Sequence, residues 1–103
     1  MNYVLINKMI SKPGKRQEVI DILTESGKAF DNVPACLLYL VSESVDDPNV
    51  IWIQDVWTNK ADHEALMKSE SMQNFIKKAM PLLAGMPEQY EIKPVAGKSE
   101  WIS

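Results

Sequence analysis

Cysteine and histidine occur once each, as Cys36 and His63, and the four glycines are scattered. One cysteine closes no internal disulfide, which fits a reducing, cytoplasmic setting. One His and one Cys far apart, with carboxylates on wet helical faces, offer little to a metal ion, so no metal or other cofactor is expected. The glycines form no phosphate-cradling loop, and no G-x-S-x-G elbow supports a Ser-His-Asp nucleophile. Basic residues are in deficit: the net charge is -3 and the pI is near 5.1. That argues against nucleic acid, whose phosphates require a basic surface, and against a polybasic membrane anchor. The longest apolar stretch, Val33 to Val41 with its interruptions, falls far short of the roughly 20 residues of a spanning helix. The opening Met1-Asn2-Tyr3-Val4 lacks a basic segment followed by an apolar one, so no secretory leader is expected.

What is present reads as a single domain over residues 1–103, the last seven (97–103) as a C-terminal tail. Hydrophobic residues make up 46 % and charged residues 24 %, a globular rather than a disordered composition. Residues 2–10 read as a strand with Tyr3, Leu5, Asn7 and Met9 on one face and Val4, Ile6, Lys8 and Ile10 on the other. Pro13-Gly14 breaks it. Residues 14–30 read as an amphipathic helix with Val19, Leu23, Gly27 and Phe30 on its apolar stripe. Residues 35–44 and 50–57 read as strands joined by the turn Val45-Asp46-Asp47-Pro48-Asn49.

Asn59, with Asp62 three residues on, predicts a capped helix start and a helix over 60–68. After a break near Ser69-Glu70-Ser71, Met72, Phe75, Ile76, Ala79 and Leu83 recur at helical spacing. Residues 88–96 read as a last strand, with Pro94 at an edge or at its end. The order strand, helix, strand, strand, helix, strand is the α+β, ferredoxin-like arrangement: a four-stranded antiparallel sheet with helices on one face. The other face, with Val4 and Ile6, is too apolar to meet water. A homodimer packed sheet on sheet would bury it.

The candidate site is read by strand parity and residue chemistry. Asn7 is a carboxamide on an apolar strand face, which makes it either a satisfied core amide or a polar group aimed into a pocket. Asp55 and Trp57 share one face of the third strand, Asp55 as a pocket acid or a cross-strand partner of a lysine, and Trp57 as core or as a wall for a flat ring. Trp52 lies on the opposite face, toward an expected partner, and Trp101 in the tail could reach across one. His63, the only imidazole, sits in the first turns of a helix, as an exposed or simply hydrogen-bonded residue or as a group that moves protons near neutral pH. Met72, Met80 and Met86, with Phe75, read as adaptable apolar residues, either core or lining for a flat aromatic ligand.

The segment D-V-W-T-N-K-A-D-H-E-A-L (Asp55 to Leu66), followed by S-E-S-M-Q-N-F-I-K-K-A-M-P-L-L, resembles the strand-to-helix signature of the antibiotic biosynthesis monooxygenase family, in its quinol monooxygenase branch. The opening Y-V-L-I-N-K-M-I-S-K-P-G resembles that family's first strand and turn. The resemblance implies a dimeric α+β barrel and a pocket between sheet and helices. It also implies cofactor-independent oxygenation of a small quinol or phenolic aromatic by O2. On that reading Asn7 and His63 are catalytic, and Trp57, Asp55, Met72 and Phe75 bind substrate. A haem-degrading branch is similar at Asn7 but carries a Trp and a His where this chain has Leu66 and Ile76, which disfavours haem. The alternative readings are a non-enzymatic small-molecule binding or stress-response protein, or an enzyme acting on a small aldehyde, on the same dimeric fold.

Overall fold

A computed structural model describes residues 2–98. Trp101, read above as a residue that reaches a partner, lies outside the described residues. Four strands, β1 (Tyr3–Ile10), β2 (Cys36–Glu43), β3 (Val50–Trp57) and β4 (Glu88–Ile92), form one antiparallel sheet in the order β2-β3-β1-β4. Three helices complete the ferredoxin-like fold: α1 (Arg16–Gly27), α2 (Lys60–Met67) and α3 (Glu70–Ala79). Among the described residues no helix is long and apolar enough to cross a membrane.

Several ends differ from the sequence reading, and the helical spacing read through Leu83 gives way after Ala79 to a 3-10 turn, Met80–Leu82. The first helix was expected to run to residue 30, but the α-helix stops at Gly27 and the chain continues as a 3-10 helix, Lys28–Asn32. Gly27 itself keeps helical dihedrals, φ -59° and ψ -25°. A Cβ there would stand 3.0 Å from Cε2 of Tyr39, so a larger residue would push this ring away from the helix end. The last strand was expected to reach residue 96 but ends at Ile92, two residues before Pro94, where the ring would remove a ladder donor.

Local chemistry sets the other boundaries. Gly14 takes φ +77° in the turn after β1, a conformation costly for any residue with a Cβ. The Asn59 side chain accepts from the Asp62 amide at 2.9 Å, and its Nδ2 donates to Asp62 Oδ2 at 2.7 Å, which starts α2 as the sequence predicts. Ser69 caps α3 by accepting from the Met72 amide at 3.3 Å, so the helical stretch divides in two at that serine. Arg16, on α1, donates to the carbonyls of Asp47 (2.8 Å) and Ser44 (3.2 Å) and pins the β2–β3 turn to the first helix.

Register decides what faces the helices. Pairing of β1 with β3 sets Tyr3 opposite Trp57, Leu5 opposite Asp55 and Asn7 opposite Ile53. A bulge between Cys36 and Leu38 shifts β2, so that Tyr39 and Val41 stand opposite Asp55 and Ile53 on the helical side. Gln89 of β4 stands opposite Asn7. The core under the helices has two parts. One gathers Val19, Leu23, Ile51, Ile53 and Leu83; the other gathers Phe30, Trp57 and Met72. The opposite sheet face presents Ile6, Leu40, Trp52, Tyr90 and Ile92. Leu40 is 45 % exposed and Tyr90 51 %, and the Lys8 Nζ lies 5.6 Å from the Trp52 ring centroid.

Candidate functional site

A cavity of about 360 Å³ opens between the helical face of the sheet and the three helices. That lies at the small end of ligand pockets. Asn7 reaches it from the middle of β1, Asp55 from β3, His63 from α2, and Met72 and Phe75 from α3. These five side chains, scattered over 69 positions of sequence between Asn7 and Phe75, meet in one volume because strand parity and helical spacing turn them the same way.

Trp57 is the exception, and its expected role changes. The indole is wholly buried (0 % exposed) and is not part of the cavity wall. It therefore does not offer its face to a ring in the cavity. Its Nε1–H donates to Asp55 Oδ2 at 2.7 Å, and its ring meets the His63 imidazole edge-on with centroids 5.1 Å apart. Tyr3 touches the same imidazole with centroids 5.5 Å apart. Trp57 thus holds Asp55 and His63 in place from behind.

The two ionisable groups are coupled. His63 Nε2 lies 3.7 Å from Asp55 Oδ2, within ion-pair reach but longer than a hydrogen bond. Asp55 is 4 % exposed and His63 8 %. Burial pushes the Asp55 carboxyl up to about 6, an effect only partly offset by the Trp57 hydrogen bond, which favours the charged form. Burial likewise lowers the His63 imidazole below its ordinary value, against the opposing pull of Glu64. Near neutral pH the pair is therefore a carboxylate beside a neutral imidazole. Asp55 Oδ1 and His63 Nδ1 are buried polar atoms with no hydrogen-bond partner among the described residues. Each such atom costs stability, on the order of 1–3 kcal/mol, unless a ligand or water satisfies it.

The rest of the wall is apolar and soft. Five methionines line it, Met9, Met67, Met72, Met80 and Met86, together with Phe30, Phe75 and Tyr39. Thioethers adapt to the outline of a flat ring. Tyr39 stacks on Phe30 with centroids 4.1 Å apart and planes at 13°. Met86, 80 % exposed, and the exposed Gln89 mark the mouth. Sequence reasoning missed Tyr39, because only the β2 bulge turns it inward. It also missed Gln89, although an amide in an antiparallel strand beside β1 was a usable signal. Among the described residues no cluster of three His, Cys, Asp or Glu side chains could hold a metal ion.

Comparison with known proteins gives the chain its relatives. The family model described as "Antibiotic biosynthesis monooxygenase" matches residues 2–78. A solved structure of a candidate antibiotic biosynthesis monooxygenase from Chloroflexus aurantiacus J-10-fl is 37 % identical. The match covers 96 % of this chain and 98 % of that one, with a TM-score of 0.82. A similarly described protein from Nitrosomonas europaea superimposes with a TM-score of 0.87 at 13 % identity, covering 95 % and 94 % of the two chains. A conserved protein from Methanosarcina mazei Go1 gives 0.84 at 15 % identity over 90 % and 92 %. The last two share the fold and carry no more than that. None of the curated proteins matches the chain.

Proposed function

We propose a function from one premise: the chain belongs to the antibiotic biosynthesis monooxygenase family. The reading is a monooxygenase that oxidises a small phenolic or quinol ring with O2 in the cavity beneath the helices. The observation that carries it is the Asp55–His63 pair, 3.7 Å apart, set into an otherwise apolar wall. A neutral imidazole held among aromatic rings accepts a proton from a phenol or an anthrone-type C–H, and the Asp55 carboxylate balances the imidazolium that forms. The carboxamide of Asn7, opposite Ile53 on β1, hydrogen-bonds the oxyanion.

The chemistry then belongs to the substrate anion. It gives one electron to O2, and the resulting carbon radical and superoxide combine to form a C–O bond. The peroxide takes its proton back from His63. Loss of the remaining C–H proton and cleavage of the O–O bond release water and leave a carbonyl. One oxygen atom of O2 is in the product quinone and the other in water.

A homodimer belongs to the same proposal. Ile6, Leu40, Trp52, Tyr90 and Ile92 form an apolar sheet face opposite the helices, and a second copy packed sheet on sheet would cover it.

The test is oxygen uptake by purified protein with anthrone and reduced naphthoquinols, beside Asn7→Ala and His63→Gln variants that remain folded. Uptake above the autoxidation rate, lost in both variants, is the expected result. Uptake that both variants retain would refute the assignment of the site. Tight ligand binding with no uptake across the panel would favour the second reading, a small-molecule binding protein using the same cavity.

A further inference from the structure

The charges around the cavity are one-sided. None of its described lining residues is a lysine or an arginine, and the one residue there that carries charge near neutral pH is Asp55. Lys78 lies over the Phe75 ring, 5.6 Å from its centroid, but is exposed and is not part of the wall. Asp55 itself is buried, with Oδ2 held by Trp57 and Oδ1 left without a partner. Oδ1 is out of reach of the cavity, so a ligand meets Asp55 through its charge: an anionic group has nothing to pair with and meets a carboxylate in a low-dielectric volume.

We infer that the cavity selects substrate by charge. It accepts an uncharged aromatic that carries a hydroxyl donor and rejects the same ring bearing a carboxylate or sulfonate, with Asp55 as the specificity-determining residue. This rests on the phenol-oxidising reading above and narrows its substrate class. Two like charges about 6 Å apart at an effective dielectric constant near 20 weaken binding on the order of 100-fold. The carboxamides of Asn7 and Gln89, opposite each other across β1 and β4, supply neutral donors and acceptors for a second oxygen and add no charge to either side.

The experiment compares 6-hydroxy-2-naphthamide with 6-hydroxy-2-naphthoate, a neutral and an anionic ligand of nearly equal size, by isothermal titration calorimetry at pH 8. The ligand 2-naphthol serves as reference. The wild type is expected to bind 2-naphthol and the amide, and to bind the acid on the order of 100-fold more weakly. In Asp55→Asn that gap should shrink to a few-fold. The exposed Gln89→Lys exchange, which leaves the buried pair untouched, should strengthen binding of the acid at least tenfold relative to the amide. Equal binding of acid and amide by the wild type overturns the inference while leaving the phenol-binding site in place. So does a gap that persists in both variants. Failure of the wild type to bind either neutral naphthol overturns the phenol reading and this inference together.

Discussion

Replacing Asp55 by asparagine should make the protein more stable at alkaline pH and leave its stability unchanged in acid. The carboxyl is 4 % exposed and its pKa is raised from 3.8 to about 6. A folded-state pKa above the unfolded value means that stability is fully present below the unfolded pKa and is lost as pH rises through the folded one. Below about pH 4 the side chain is neutral in both states and costs nothing. Above pH 6 the folded protein holds a desolvated carboxylate, and a gap of about 2 pKa units corresponds to about 3 kcal/mol of lost stability. Asparagine is neutral throughout and keeps an oxygen for the Trp57 Nε1–H.

The expected gain is therefore about 1–3 kcal/mol at pH 8 and close to zero at pH 4. His63 works the other way: its lowered pKa contributes stability above its unfolded value that is lost as pH falls through the folded one. That loss occurs in both proteins and largely cancels in their difference. The assay is urea unfolding at pH 4 and pH 8 at fixed protomer concentration, read as the shift in midpoint at constant slope. A variant less stable than wild type at both pH values, or a difference that does not change with pH, would refute the reasoning.

Three further outcomes are expected. His63→Gln should lower the oxygen-uptake rate about 10²–10⁴-fold, and because burial depresses the His63 pKa, the acid limb of the wild-type rate profile should have its midpoint below 6.5. A midpoint well above 6.5 would contradict a buried neutral base. Trp57→Phe removes the 2.7 Å hydrogen bond to Asp55, a bond to a charged group worth about 1.5–3 kcal/mol. Its destabilisation should be larger at pH 8, where Asp55 is ionised, than at pH 4, and equal losses at the two pH values would count against the bond. If the proposed homodimer forms through the open sheet face, Leu40→Glu should shift sedimentation from dimer to monomer without closing the cavity; an unchanged sedimentation coefficient would count against that dimer.

Much of this site could be read along the chain. Alternation in β1 put Asn7 with Leu5 and Met9, alternation in β3 put Asp55 with Trp57, and helical spacing put Met72 with Phe75. Side-chain direction follows local geometry with a period of 2 in strands and 3.6 in helices, so these groupings required no knowledge of distant contacts. Asn59 and Asp62 marked the start of α2 for an equally local reason.

The sequence by itself determined the order of elements, the two faces of β1 and β3, and the residue types available to a site. Tertiary structure decided how deep each residue lies and which partners it meets. Trp57 shares a face with Asp55 by parity, but it lies behind the cavity wall because α2 lays His63 against its ring. Tyr39 turns inward because of a bulge that one strand cannot reveal without its partner, and Gly27 is the slot that receives it. Asp55 and His63 are eight residues apart in the chain, and no local pattern states that they will lie 3.7 Å apart. Burial is a property of the whole packed molecule, and burial is what sets the protonation of both groups.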